Sequence, residues 1–241
     1  MSNIDHTTLA STPLDFPGTV FDSELLLEEV RKLFYSYKDA LFQSPRLNVY
    51  VIPIFVPGGD WQETGNFKNE SSEHWQEPAW TELANQCPYL KQMIEECFFP
   101  WNKLKSRIVI ITPVNARGVV PHTDSNIPDF DSVIKLRYFL GGNPYALHFM
   151  RNNKPPIVAD QTSGFSAING HLAHYSTWNG LEEDRRFAVS GGIPAIYNQE
   201  FHQHLENSIN NNKDRVTRIS LEDQVPIDQF DLNGKPLKNM W

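Results

Sequence analysis

Between residues 105 and 190 the chain breaks into six short runs rich in β-branched and aromatic residues: 106–112 (SRIVIIT), 118–122, 132–140, 147–150, 164–168 and 187–190. Turn-forming segments separate them, among them GGNP at 141–144 and NNKPP at 152–156. Apolar runs this short, punctuated this often, argue against a helical bundle and for a β-sandwich or barrel. The flanks read differently. Leu26, Leu27, Val30, Leu33, Phe34, Tyr37 and Leu41 fall near helical spacing behind Asp22 or Ser23, either of which can cap a helix. Residues 47–56 (LNVYVIPIFV) read as a strand whose Pro53 places it near a sheet edge or at a bulge. Residues 88–98 read as a helix with Pro88 in its first turn, and 199–210 as another.

The resulting plan is mainly β with flanking helices. An N-terminal arm occupies 1–21, and one domain fills 22–241. That domain has a helical lead-in at 22–104, a β core at 105–195, and a C-terminal helix and tail at 196–241. Residues 57–78 form a long loop in which Trp61 and Trp75 could close over a substrate or pack on the surface.

Composition narrows the function classes. The 241 residues carry 21 Lys plus Arg against 29 Asp plus Glu, a net charge of −8. That balance disfavours binding nucleic acid through its phosphates. No apolar run is long enough to span a bilayer, and the start, MSNIDHTTLASTPLDF, lacks the basic and apolar regions of a secretory signal. Two cysteines, Cys87 and Cys97, are too few to staple a chain of this length, so a reducing, cytoplasmic setting is the simplest expectation.

Chemistry concentrates at Pro121-His122-Thr123-Asp124, at the end of a strand. Residues two apart on a strand share a face, about 7 Å apart along the backbone. His122 and Asp124 can therefore converge on one ion, and an imidazole with a carboxylate suits iron. A second histidine has to come from elsewhere, and His171 and His174 in GHLAH are the candidates. Twelve residues after His174, a returning strand carries Arg185 and Arg186. A guanidinium holds a carboxylate by two parallel hydrogen bonds, which fits it to anchor a dicarboxylate. His148, His202, His204, His6 and His74 carry no comparable pattern. GGNP lacks the spacing of a phosphate cradle.

These elements resemble the 2-oxoglutarate and Fe(II)-dependent oxygenases, and among them the aspartyl/asparaginyl β-hydroxylase branch, which includes small bacterial amino-acid hydroxylases. The likeness runs over roughly 88–192, through PYLKQMIEECF, SRIVIITPVNARGVVPHTD, VIKLRYFL, GFSAINGHLAHYSTW and RRFAVSG. It implies a double-stranded β-helix, a jelly-roll or cupin-like barrel. It implies Fe(II) held by His122, Asp124 and His174, with His174 chosen over His171. It also implies 2-oxoglutarate anchored by Arg186, with Arg185 as the neighbouring alternative and Arg137, in Lys135-Leu136-Arg137, as a further contact. The chain departs from the branch at two points: Asp124 stands where some members have glycine, and Phe139 stands where a histidine is usual. Asp124 also favours hydroxylation over halogenation, because it fills the position a halide would need.

The implied reaction consumes O2 and 2-oxoglutarate, releases succinate and CO2, and hydroxylates a free amino acid or an amino-acid side chain in a peptide. No nucleic-acid or membrane partner is expected. Two other readings stand beside it. One is a non-redox cupin-like protein that binds a metal or small ligand, and the other is a metal-free structural or interaction protein.

Overall fold

The computed structural model of the chain describes residues 7–16, 18–62, 77–101, 107–124, 134–161, 164–192 and 198–230. Its framework is two antiparallel sheets between which the chain passes back and forth. The strands are β1 (Leu9–Pro13), β2 (Phe42–Ser44), β3 (Val49–Pro57), β4 (Pro78–Trp80), β5 (Ile108–Pro113), β6 (Val119–His122) and β7 (Ile134–Leu140). They continue with β8 (Leu147–Arg151), β9 (Lys154–Val158), β10 (Phe165–Asn169), β11 (His174–Ser176), β12 (Phe187–Gly192) and β13 (Thr217–Arg218). The large sheet runs β13-β1-β10-β7-β12-β5-β3-β2, with β4 also pairing to β3, and the small sheet runs β6-β11-β8-β9. From β5 to β12 the chain alternates between the sheets, with only the β8–β9 hairpin staying in one. That winding is the double-stranded β-helix expected from the sequence.

Alternation of side chains gives the large sheet two apolar faces. Ile134, Leu136, Tyr138 and Leu140 of β7, with Phe187 and Val189 of β12, join a cluster shared with the helices. The helices are α1 (Ser23–Tyr37), α2 (Pro88–Cys97) and α3 (Gln199–Asn211). Phe34 of α1 meets Phe187 edge-on at 5.5 Å, and Phe98, just past α2, meets Phe165 of β10 at 5.7 Å. Each such fully buried ring stabilises the fold by about 1.5–3 kcal/mol over its exposed state. On the opposite face, Ala10 and Ile168 pack with Leu147 and Phe149 of the small sheet. Lys135, Arg137 and Phe139, the intervening residues of β7, must therefore point toward the small sheet.

Capping fixes where the helices begin. The Asp22 carboxylate accepts from the backbone N–H groups of Glu24 and Leu25 at 2.9 and 3.3 Å. Pro88 opens α2, and Glu29 of α1 reaches across to accept from the N–H groups of Tyr89 and Leu90. One carboxylate thus satisfies two free donors of α2 and ties the two helices together.

Several expectations change. Within the 1–21 arm, Leu9–Pro13 is buried and forms a strand of the large sheet between β10 and β13. The 154–156 stretch, read as turn, belongs to β9; its Pro155 and Pro156 are tolerated because β9 is the edge of the small sheet. Pro53 sits in β3 where the pairing with β5 shifts register, so an irregularity accommodates the missing donor. Trp61 packs edge-on against Tyr37 at 5.8 Å, while Trp75, the other proposed lid residue, lies outside the described residues.

Candidate metal centre

The last residue of β6 and the first of β11 are both histidines, and they are paired across the two strands, His122 opposite His174. Their rings lie 4.5 Å apart between centroids. Asp124 follows β6 by two residues, its backbone N–H donating to the Gly170 carbonyl at 2.8 Å. One ligand atom from each of the three residues lies within 4.8 Å of the others. The Nε2 atoms of His122 and His174 stand 3.6 and 4.0 Å from the two Asp124 oxygens.

Both imidazoles are held in the same way. His122 Nδ1 lies 2.8 Å from the Val120 carbonyl, and His174 Nδ1 lies 2.8 Å from the Leu172 carbonyl. A carbonyl can only accept, so each Nδ1 carries a proton and each Nε2 is the ring nitrogen turned toward Asp124. This backbone anchoring fixes the tautomer and ring orientation that a metal-binding histidine needs. Burial, with the neighbouring His122 ring adding to it, pushes the His174 pKa down to about 4. The ring is therefore neutral at neutral pH, which is its metal-binding form.

Burial by itself would lift the Asp124 carboxyl, but the positive charges of Lys135 and Arg137 beside it outweigh burial. Together they hold Asp124 well below the ordinary carboxylate range and keep it ionised. Lys135 Nζ and Arg137 Nη2 approach its Oδ2 at 3.8 and 3.4 Å. Arg137 is in turn fastened to the large sheet by donating to Ser190 Oγ on β12, its cross-strand neighbour. Two imidazoles with Nε2 turned inward and one carboxylate on a single face fit a divalent iron ion, with coordination positions left for other ligands.

The two adjacent arginines, just ahead of β12, turn to opposite sides. Arg185 lies on the helix side, where its guanidinium stacks on Phe34 and Trp178. It donates to both Glu182 oxygens at 2.6 and 2.8 Å, to the Pro113 carbonyl at 2.5 Å and to Thr112 at 3.2 Å. Its hydrogen-bonding capacity is consumed by the fold, so it is not available as the alternative anchor. Arg186 faces the other way, with its guanidinium over the Phe139 ring at 3.8 Å. It is only 8% exposed, yet among the described residues Nε and Nη2 have no hydrogen-bond partner, and Nη1 reaches only the Asn143 carbonyl. Burial draws its pKa down to about 9, still cationic at neutral pH. A buried cation with two idle donors is costly unless an anion meets it.

Of the sequence candidates, His122, Asp124, His174 and Arg137 are brought together, and Arg186 lies on the same face of the large sheet. His171 is not part of the triad. It sits in the turn between β10 and β11, with its N–H donating to the Asn169 side chain. Sequence reasoning overlooked Lys135, Ser190 and Gly170. Lys135 was accessible by parity with Arg137, whereas Ser190 needed the β7–β12 register and Gly170 needed three-dimensional contact.

No protein-family profile matches this chain, and no curated protein matches it. Solved structures do. A prolyl-4-hydroxylase from Pseudomonas putida shares 11% identity over 79% of this chain and 95% of its own, with a TM-score of 0.43. A Trichoplax adhaerens prolyl hydroxylase, solved with a hypoxia-inducible-factor peptide, shares 13% over 80% and 89%, with a TM-score of 0.44. Neurospora crassa T7H, solved with α-ketoglutarate, shares 13% over 75% and 72%, with a TM-score of 0.46.

Proposed function

We propose that this chain is a non-haem Fe(II) and 2-oxoglutarate-dependent oxygenase that hydroxylates an amino acid or an amino-acid side chain in a peptide. The observation that carries this reading is the triad itself. Backbone carbonyls hold His122 and His174 with Nε2 turned inward, and an ionised Asp124 stands beside both. His122, Asp124 and His174 would hold the iron. Arg186, with two donors that meet no partner among the described residues, would receive the distal carboxylate of 2-oxoglutarate, and Asn143 would steady it through its carbonyl. Arg137 and Lys135 would keep Asp124 charged and oriented from the side of the large sheet.

When bound, the iron would couple oxidative decarboxylation of 2-oxoglutarate by O2 to hydroxylation of the substrate. The chain's own contribution is placement: backbone carbonyls orient the two histidines, and Lys135 and Arg137 hold the carboxylate, so little ordering is left to binding. The apolar surroundings, Phe149 beside the His174 ring at 5.7 Å and Phe139 beneath Arg186, limit water around both.

The test is a single-turnover experiment. Purified protein is loaded anaerobically with Fe(II) and 2-oxoglutarate and exposed to air with a panel of free amino acids, and succinate is measured. Iron-dependent succinate formation, enhanced by at least one amino acid, is expected. Indifference to 2-oxoglutarate in a protein that still binds metals would favour a non-redox cupin-like protein. Absence of any metal binding would favour a structural role.

A further inference from the structure

The GHLAH segment contributes more than His174. The turn from β10 into β11 runs through Gly170, and Gly170 is pressed against the carboxylate. A Cβ built at residue 170 would lie 2.8 Å from Asp124 Oδ2, 2.9 Å from its Cβ and 3.3 Å from its Cγ. Two of these separations are shorter than real Cβ contacts reach, and they fall on both ends of a side chain with few ways to yield. The Asp124 Cβ is fixed to the backbone, whose N–H is itself bonded to the Gly170 carbonyl at 2.8 Å. Oδ2 is hemmed in on its other side by Arg137 and Lys135. Backbone conformation is not what requires glycine here, because other glycines of the chain adopt positive φ and Gly170 is not among them. The requirement is space.

We propose that Gly170 is a positioning residue for Asp124, and that the bare Cα at this turn sets the carboxylate in register with His174. This rests on reading His122, Asp124 and His174 as the metal site. The same short turn supplies the Leu172 carbonyl that orients the His174 ring. One crossover between the sheets therefore templates two of the three ligands. Gly170 fixes where the carboxylate sits, and Leu172 fixes how the imidazole turns. Any side chain at 170 pushes the carboxylate away from the imidazoles while leaving both histidines in place.

The test is a double-mutant cycle on the full chain, read by anaerobic Fe(II) titration and by thermal melting. Loss of an outer contact that orients a metal ligand typically costs 10–100-fold in metal affinity. Gly170→Ala is accordingly expected to weaken Fe(II) binding at least tenfold. In the Asp124→Gly background, where neither the carboxylate nor its Cβ remains to collide with, adding Gly170→Ala is expected to change affinity by less than about twofold. If the single variant melts early, the double variant is expected to melt with Asp124→Gly, because removing the whole side chain relieves the overlap.

Equal weakening by Gly170→Ala in both backgrounds would overturn the proposal, since the substitution would then act by shifting His174. So would an early melt that persists in the double variant, or full Fe(II) affinity in Gly170→Ala. Should the unmodified chain bind no Fe(II), the metal-site reading fails first. The melting half of the cycle then still decides whether residue 170 and Asp124 compete for space.

Discussion

His171 and His174 are three residues apart, and their backbone surroundings give them different work. His174 starts a strand opposite His122, whereas His171 is held in the preceding turn. His174→Ala is therefore expected to abolish stoichiometric Fe(II) binding, and His171→Ala to leave it within about twofold, by anaerobic titration; the reverse pattern would refute the ligand assignment. Arg186 separates cosubstrate from metal. Replacing it with Met should leave Fe(II) affinity intact while weakening 2-oxoglutarate by at least about 30-fold. That corresponds to about 2 kcal/mol, the low end for removing one partner of a buried charged pair. Equal loss of both ligands would show that Arg186 supports the fold rather than the cosubstrate.

At the scale of elements, the segment joining β11 to β12 depends on Arg185 and Glu182. The Arg185 hydrogen bond draws the Glu182 pKa down to about 2, with the Tyr35 hydroxyl assisting, against a smaller opposing effect of burial. The folded pKa lies below the unfolded value of about 4.3. The unfolded chain therefore takes up a proton first as pH falls, and the stabilisation present above that value is lost on descending toward pH 2. Glu182→Gln is expected to lower the melting temperature at pH 7 and flatten its fall between pH 4.5 and 2, and an unchanged acid limb would contradict the assignment. Arg185→Met is expected to destabilise by about 1–3 kcal/mol through the donors it withdraws from Pro113 and Thr112. Fe(II) affinity should not change.

The legibility of the chain also divides at this scale. The main strands of the core were visible because Ile108–Pro113, Ile134–Leu140 and Phe165–Asn169 carry dense β-branched and aromatic residues. The strand at His174–Ser176 was not, because three residues offer no periodicity. Nor was Lys154–Val158, whose two prolines imitate a turn and are permitted only by the edge position. His122 and Asp124 were legible from their spacing. The pairing of His122 with His174 was not, because it depends on a register set by the whole winding.

For the molecule as a whole, the ends of the chain complete the large sheet. Leu9–Pro13 pairs with β10 on one side and with Thr217–Arg218 on the other. Leu9 and Leu14 are buried, so removing residues 1–16 strips about 1.5–3 kcal/mol for each and opens the edge of β10. A fall of roughly 10 °C in melting temperature is expected from such a loss, and a shift of under about 2 °C would mean that the strand is dispensable. No helix among the described residues is long and apolar enough to cross a membrane. The most direct test of the central claim is an anaerobic titration of 2-oxoglutarate into the Fe(II)-loaded chain, followed by its visible charge-transfer absorption. One iron and one 2-oxoglutarate per chain, with the absorption lost in His174→Ala, is the expected result. Fe(II) binding that survives His174→Ala, or a spectrum that 2-oxoglutarate leaves unchanged, would contradict it.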